Sequence, residues 1–185
     1  MSRRVCPWWL GYFLANPLRR FLHDPSFLLP PFVSEGMTVV EPGPGMGYFT
    51  MELARLVGRS GKVVAVDVQP RMLAELRRRA GEAGLLERID ARQVPGDGMG
   101  LDDLKGQVDF VLAFAVVHEM PGAGRFFAEA SAALKPGRKL LLAEPGFEVS
   151  EREFAATLHI AEQHGFRVDS RPAIRWSRSA VLVKA

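Results

Sequence analysis

The sequence is short of the residues that most often announce a chemistry. Its one cysteine, Cys6, has no partner for an internal disulfide, which fits a reducing compartment and sets the expected location as cytoplasmic. Four histidines, at 23, 118, 159 and 164, have no cysteine or carboxylate spacing that reads as a zinc site, so no metal is expected. Neither a P-loop nor a Gly-x-Ser-x-Gly elbow occurs. A strong excess of one charge is also missing: 24 basic against 21 acidic residues leave a formal charge of +3. The basic residues are scattered, as in Arg77-Arg78-Arg79, and make a solvated helix face, so a nucleic-acid partner is disfavoured.

What is present suits one globular domain. Of the 185 residues, 48% are apolar and 24% charged, enough for one sizeable core and too few residues for two ordinary domains. Residues 1–35 read as a separate leader. Met1-Ser2-Arg3-Arg4 followed by the apolar stretch Val5 to Ala15 has the outline of a signal peptide. Pro7, the bulky Trp8, Trp9 and Tyr12, and the lack of a small-residue cleavage site argue against one. The stretch is also too short to span a bilayer. An aromatic, amphipathic leader of this kind packs on the domain, forms an oligomer contact, or makes a peripheral membrane contact.

From residue 36 the pattern becomes regular. Strands are expected at Thr38–Glu41, Lys62–Val66, Ile89–Val94, Val108–Ala115 and Lys139–Ala143. Helical spacing recurs through Phe49, Leu53, Leu56 and Val57, through Met72, Leu73, Leu76 and Ala80, and over Phe126–Leu134. Ser150 with Glu153 three residues on forms a capping box for a further helix. Lys135-Pro136-Gly137-Arg138 reads as a turn, and Phe166–Ser170 with Ala180–Lys184 as a closing hairpin, because the segment between them has no room for a useful helix. The βαβα alternation makes this an α/β protein.

The chemistry is concentrated where the first strand meets its helix, in Val39-Val40-Glu41-Pro42-Gly43-Pro44-Gly45-Met46-Gly47. Glycines there let a ligand lie against bare backbone, and Asp67, closing the next strand in Val64-Ala65-Val66-Asp67, is placed to hold ribose hydroxyls. A dinucleotide fingerprint would need a third glycine at position 48, which is Tyr48. Glu41, Gly43, Gly45 and Gly47 instead resemble motif I of the class I, Rossmann-like S-adenosylmethionine-dependent methyltransferases. Gly96-Asp97-Gly98 resembles the family's Gly-Asp-Ala, and Ala113-Phe114-Ala115-Val116-Val117-His118-Glu119 resembles its segment after the fourth strand.

The resemblance covers residues 36–145 and extends more loosely through the hairpin. It implies a doubly wound, seven-stranded, mostly parallel sheet with an antiparallel last strand. It implies S-adenosyl-L-methionine as cofactor. Glu41, Gly43, Pro44, Gly45 and Gly47 would surround its amino acid moiety, with Asp67 on the ribose. Val68, Gln69 and Met72 would flank the adenine, with Gly96, Asp97 and Gly98 at its amino group. The backbone at Phe114 and Ala115 would contact the methionine amino group.

His118 reads as a general base for an acceptor hydroxyl or amine, since an imidazole titrates near neutral pH, with Glu119 beside it. Both read equally as the start of the next element and a pocket wall. Trp8, Trp9 and Tyr12 read as an aromatic lid over an apolar or planar small-molecule acceptor, and Glu144 as an acceptor contact at the same crevice. The activity expected is methyl transfer by in-line displacement. The alternatives are a cofactor-binding accessory module without turnover and an RNA methyltransferase. A lone cysteine does not fit the multi-thiol pattern of arsenite methyltransferases.

Overall fold

The computed structural model describes residues 23–96 and 98–185. Seven strands form a single sheet: β1 (Thr38–Pro42), β2 (Lys62–Asp67), β3 (Ile89–Gln93), β4 (Val108–Phe114), β5 (Leu134–Pro145), β6 (Phe166–Ser170) and β7 (Ser177–Lys184). Their order is β3-β2-β1-β4-β5-β7-β6. The pairs β1–β2, β1–β4, β2–β3 and β4–β5 are parallel, and β7 runs antiparallel between β5 and β6. The expected doubly wound sheet and terminal hairpin are therefore both present.

Among the described residues, five α-helices accompany it: α1 (Pro25–Leu28), α2 (Thr50–Leu56), α3 (Pro70–Glu82), α4 (Ala123–Ala133) and α5 (Glu151–Gln163). Because side chains alternate across a strand, successive apolar residues feed opposite faces. Val40, Val64, Val111, Leu140, Leu142 and Leu182 join Phe126 and Phe127 of α4 and Phe154 and Leu158 of α5. Val39, Val63, Phe110, Leu112, Leu141 and Val181 join Leu53 of α2 and Leu76 of α3. Strand β4 feeds both cores, which explains its almost unbroken apolar run.

Leu29 and Val33, within the span expected to be leader, are buried in the second of these cores, and Phe32 stacks on Phe110 at 5.4 Å. Burying a Leu or Val side chain stabilises a fold by roughly 1.5–3 kcal/mol. Packing on the domain thus reaches into the span expected to be leader, ahead of position 36. Two further boundaries differ from expectation. Helix α4 starts at Ala123 after Gly122, which makes no side-chain cap hydrogen bond, so no capping signal precedes it. Lys135-Pro136-Gly137-Arg138 is an irregularity inside β5 instead of a turn before it. The register jumps there from Val108 opposite Leu134 to Phe110 opposite Lys139, and Gly137 takes φ +72°. The capping box on α5 forms as expected, Ser150 accepting from the Glu153 N–H and Glu153 from the Ser150 N–H.

No helix among the described residues is long and apolar enough to cross a membrane.

Candidate functional site

The sheet order reverses between β1 and β4, so helices leave these strands towards opposite faces and open a crevice at their carboxyl ends, the usual ligand position in open α/β sheets. The loops after β1 and β4 meet there. Gly43 is exposed at φ +64°, its N–H bonds to the Val66 carbonyl at 2.9 Å, and Val116 lies directly against it. Gly45 and Gly47 also take positive φ, +55° and +85°. A Cβ at Gly45 would meet nothing within 4 Å, whereas one at Gly47 would press on Leu76 of α3. The first of these leaves space for a ligand on bare backbone, and the second allows close helix packing. Pro44 is buried, and its carbonyl accepts from the Gly47 N–H at 2.9 Å.

Glu41 is 4% exposed and accepts a 2.6 Å hydrogen bond from the Thr50 hydroxyl at the start of α2. Asp67, 8% exposed at the end of β2, accepts from the Gln69 N–H at 2.9 Å. Burial pushes the Asp67 pKa above the ordinary carboxylate value, and the N–H groups of Gln69, Gly45 and Val68 offset part of the rise. Hydroxyl donors arriving from a ribose would stabilise this charge further. The residues fit the cofactor on this observation: a buried acid on one side of a glycine loop with open space over Gly45.

Val68 and Gln69 are half-buried before α3, while Met72 is 3% exposed within it. Gly96 brings the loop after β3 against Val68, where a Cβ would lie 3.3 Å from the valine Cγ1. Gly98 faces α4 instead: a Cβ there would run into Glu129 and Arg125. Asp97, Trp8, Trp9 and Tyr12 lie outside the described residues.

After β4, Ala115 stands at φ +55°, a left-handed conformation rare for a residue with a side chain, and its N–H bonds to the Ala143 carbonyl at 2.7 Å. Strain of this kind persists only where the surroundings enforce it, and it concentrates at binding sites. The Phe114 ring packs on Phe49 at 4.6 Å and edge-on to His23 at 4.9 Å. His118 and Glu119 lie in a short 3-10 turn, Val117–Glu119.

Sequence reasoning did not foresee what holds His118. Glu144, 2% exposed, accepts the Val117 N–H at 2.9 Å and the His118 N–H at 3.3 Å on one oxygen, and its other oxygen meets His118 Nδ1. Glu148 meets Nε2 at 3.1 Å. Glu144 therefore lies beneath the histidine, with both oxygens engaged. Burial lowers the His118 pKa, but the Glu144 hydrogen bond and the charges of Glu144, Glu119 and Glu148 outweigh it, so the net shift is upward. Glu144 is 26 residues from His118, so no local motif marks the pair. Among the described residues, no group of three His, Cys, Asp or Glu side chains is placed to hold a metal ion.

Known proteins share this architecture. A methyltransferase from Aquifex aeolicus that depends on S-adenosylmethionine superposes with a TM-score of 0.84 at 28% identity, covering 97% of this chain and 98% of its own. The tRNA (adenine(58)-N(1))-methyltransferase of Thermus thermophilus is 26% identical over 154 residues, 78% of this chain and 52% of the relative. The ubiquinone/menaquinone biosynthesis C-methyltransferase of Cronobacter sakazakii is 27% identical over 137 residues, 72% of this chain and 54% of the relative. The chain thus spans about half the length of these two curated relatives. Residues 39–137 match the methyltransferase domain family, a span that begins in the strand before the glycine turn and ends inside β5. With that match, the Aquifex likeness and the geometry of the glycine turn, the chain belongs to the class I methyltransferase domain family, whose cofactor is S-adenosylmethionine.

Proposed function

We infer that the chain transfers a methyl group from S-adenosylmethionine to a small, apolar or planar acceptor, with His118 as the base and Glu119 beside it. The cofactor's sulfonium supplies an activated methyl group. An acceptor would take that methyl group by in-line displacement, and His118 would receive the acceptor's proton. The protein contributes positioning, which is most of what an in-line displacement needs.

The observation that carries this reading is the meeting of the two loops: Val116 packs against Gly43 of the cofactor turn, and His118 follows two residues later. That adjacency supports His118 as the base, since it puts the same loop beside the cofactor turn. Glu144 acts in this reading through His118, because its oxygens are engaged there.

Isothermal titration with S-adenosylmethionine and S-adenosylhomocysteine tests the cofactor site. Methyl transfer from labelled cofactor to a panel of phenols, quinols, amines and thiols tests turnover. Binding with transfer to a panel member supports the reading, and absence of binding overturns it. Binding without transfer across the panel favours an accessory module. Because one relative acts on tRNA, bulk tRNA belongs in the panel. Transfer to tRNA, with affinity falling steeply as salt rises, would replace the small-molecule reading with an RNA one.

A further inference from the structure

His118 has a carboxylate at each ring nitrogen, and the two differ in depth. The side chain of Glu144 is 2% exposed, that of His118 16% and that of Glu148 51%, so the three step from the core to solvent. Glu144 lies on β5 and Glu148 in the loop between β5 and α5. An ionised carboxylate only accepts hydrogen bonds. With two backbone N–H groups on one oxygen of Glu144 and His118 Nδ1 on the other, the shared hydrogen belongs on Nδ1. By the same argument Nε2 carries a hydrogen towards the half-exposed Glu148 at 3.1 Å, so the resting ring is the imidazolium and Nε2 is the nitrogen that titrates.

We propose that Glu144, His118 and Glu148 form a proton relay out of the acceptor side of the crevice, Glu144 fixing the Nδ1–H tautomer and Glu148 receiving the proton from Nε2. The proposal rests on the methyltransferase reading above. When an acceptor X–H enters, Glu148 takes the Nε2 proton of the resting imidazolium and swings off with it to water, as its exposure allows, which frees the Nε2 lone pair. The X–H bond breaks as the X–CH3 bond forms and the C–S bond breaks, and the proton goes to the Nε2 lone pair. The imidazolium then gives its Nε2 proton to the returning Glu148 carboxylate, which releases it to water. Glu144 keeps its charge throughout and acts as a positioning residue. The carboxylates that influence His118 are Glu144 from β5, Glu148 from the following loop and Glu119 from its own turn, and they favour the imidazolium against burial.

Long-range 1H–15N NMR of the histidine ring, over a pH series, reads the relay without an acceptor. The wild type is expected to titrate above a free imidazole, with neutral His118 protonated on Nδ1. Glu148→Gln should lower the titration and keep that tautomer. Glu144→Gln should lower it and also turn the neutral ring towards Nε2–H, a change that general loosening would not produce. Neutral wild-type His118 in the Nε2–H form, or a titration that Glu148→Gln does not move, would overturn the relay. Both readouts stand even where Glu144→Gln fails to fold. S-adenosylhomocysteine affinity, measured on the same samples, should be unchanged in the folded variants. Failure of the wild type to bind it would sink the methyltransferase reading itself, an outcome separate from the tautomer result.

Discussion

Gly43, after β1, and Val116, after β4, touch across the point where the sheet reverses: a Cβ at position 43 would lie 2.6 Å from the Val116 Cγ2. Gly43 also stands at φ +64°, where an L-residue is disfavoured by roughly 1–2 kcal/mol. Overpacking adds about 1–3 kcal/mol. Gly43→Ala is therefore expected to lower stability in urea unfolding by about 2–5 kcal/mol and to weaken cofactor binding. Gly43→Ala combined with Val116→Ala should recover the packing part and keep the backbone part. A single variant as stable as the wild type would show that the loops are not in contact.

Asp67 gives two linked expectations. Asp67→Ala removes charge-assisted acceptors from the ribose hydroxyls, each contributing about 1.5–3 kcal/mol, so cofactor affinity should fall at least about tenfold by titration calorimetry. The second concerns pH. Burial raises the folded pKa above the unfolded value, so the folded chain holds the extra proton between the two. Stability without cofactor should then fall as pH rises from the ordinary 3.8 through the raised value. Asp67→Asn should lose this dependence, so its stability relative to wild type improves over that window. An unchanging difference would remove the case for a destabilised carboxylate.

The cofactor half of the site was legible because its information is local. Glu41, the glycines at 43, 45 and 47, and Tyr48 in the place of a further glycine lie within one turn, and Asp67 closes the neighbouring strand. The capping box at Ser150 and Glu153 was legible for the same reason. The acceptor half was not. Glu144 reaches His118 only after β4 and β5 pair, Phe114 opposite Ala143. A sequence pattern cannot say which strands become neighbours. Lys135-Pro136-Gly137-Arg138 misled in the opposite direction: its turn residues are real, and Gly137 is left-handed, but the chain re-enters the same ladder at Lys139.

At the opposite end of the sheet Asp109 is 7% exposed and accepts from Lys135 Nζ at 2.7 Å and the Thr38 N–H at 3.0 Å, with Arg138 at 3.4 Å. Burial raises its pKa, but the Lys135 and Thr38 bonds and the two cations prevail and hold it below the ordinary value. The lowered folded pKa adds stability above 3.8 that is lost as pH falls through the folded value. Asp109→Ala leaves the Thr38 N–H without this acceptor, which costs about 1–3 kcal/mol in a buried setting. Measured relative to its own neutral value, wild-type stability should therefore fall further on acidification than that of Asp109→Ala. Superimposable normalised curves would count against the ion cluster.

Ala115 offers a test of whether strain and binding are coupled. Its φ of +55° follows directly from β4 and precedes the turn that carries His118, and its N–H is fixed on the Ala143 carbonyl at 2.7 Å. A left-handed alanine costs roughly 1–2 kcal/mol, while a glycine there adds about 0.5–1 kcal/mol of unfolded-state entropy. Ala115→Gly should thus leave thermal stability equal or slightly higher. Ala115→Val should lose about 2 kcal/mol or more, because a β-branched side chain fits the left-handed region worst. If the enforced conformation aims the loop at the cofactor, Ala115→Gly should bind S-adenosylhomocysteine more weakly despite its stability, since a freer backbone must be ordered on binding. Unchanged affinity in the glycine variant, together with a stable valine variant, would mean that the left-handed residue only joins β4 to its neighbour and takes no part in preparing the site.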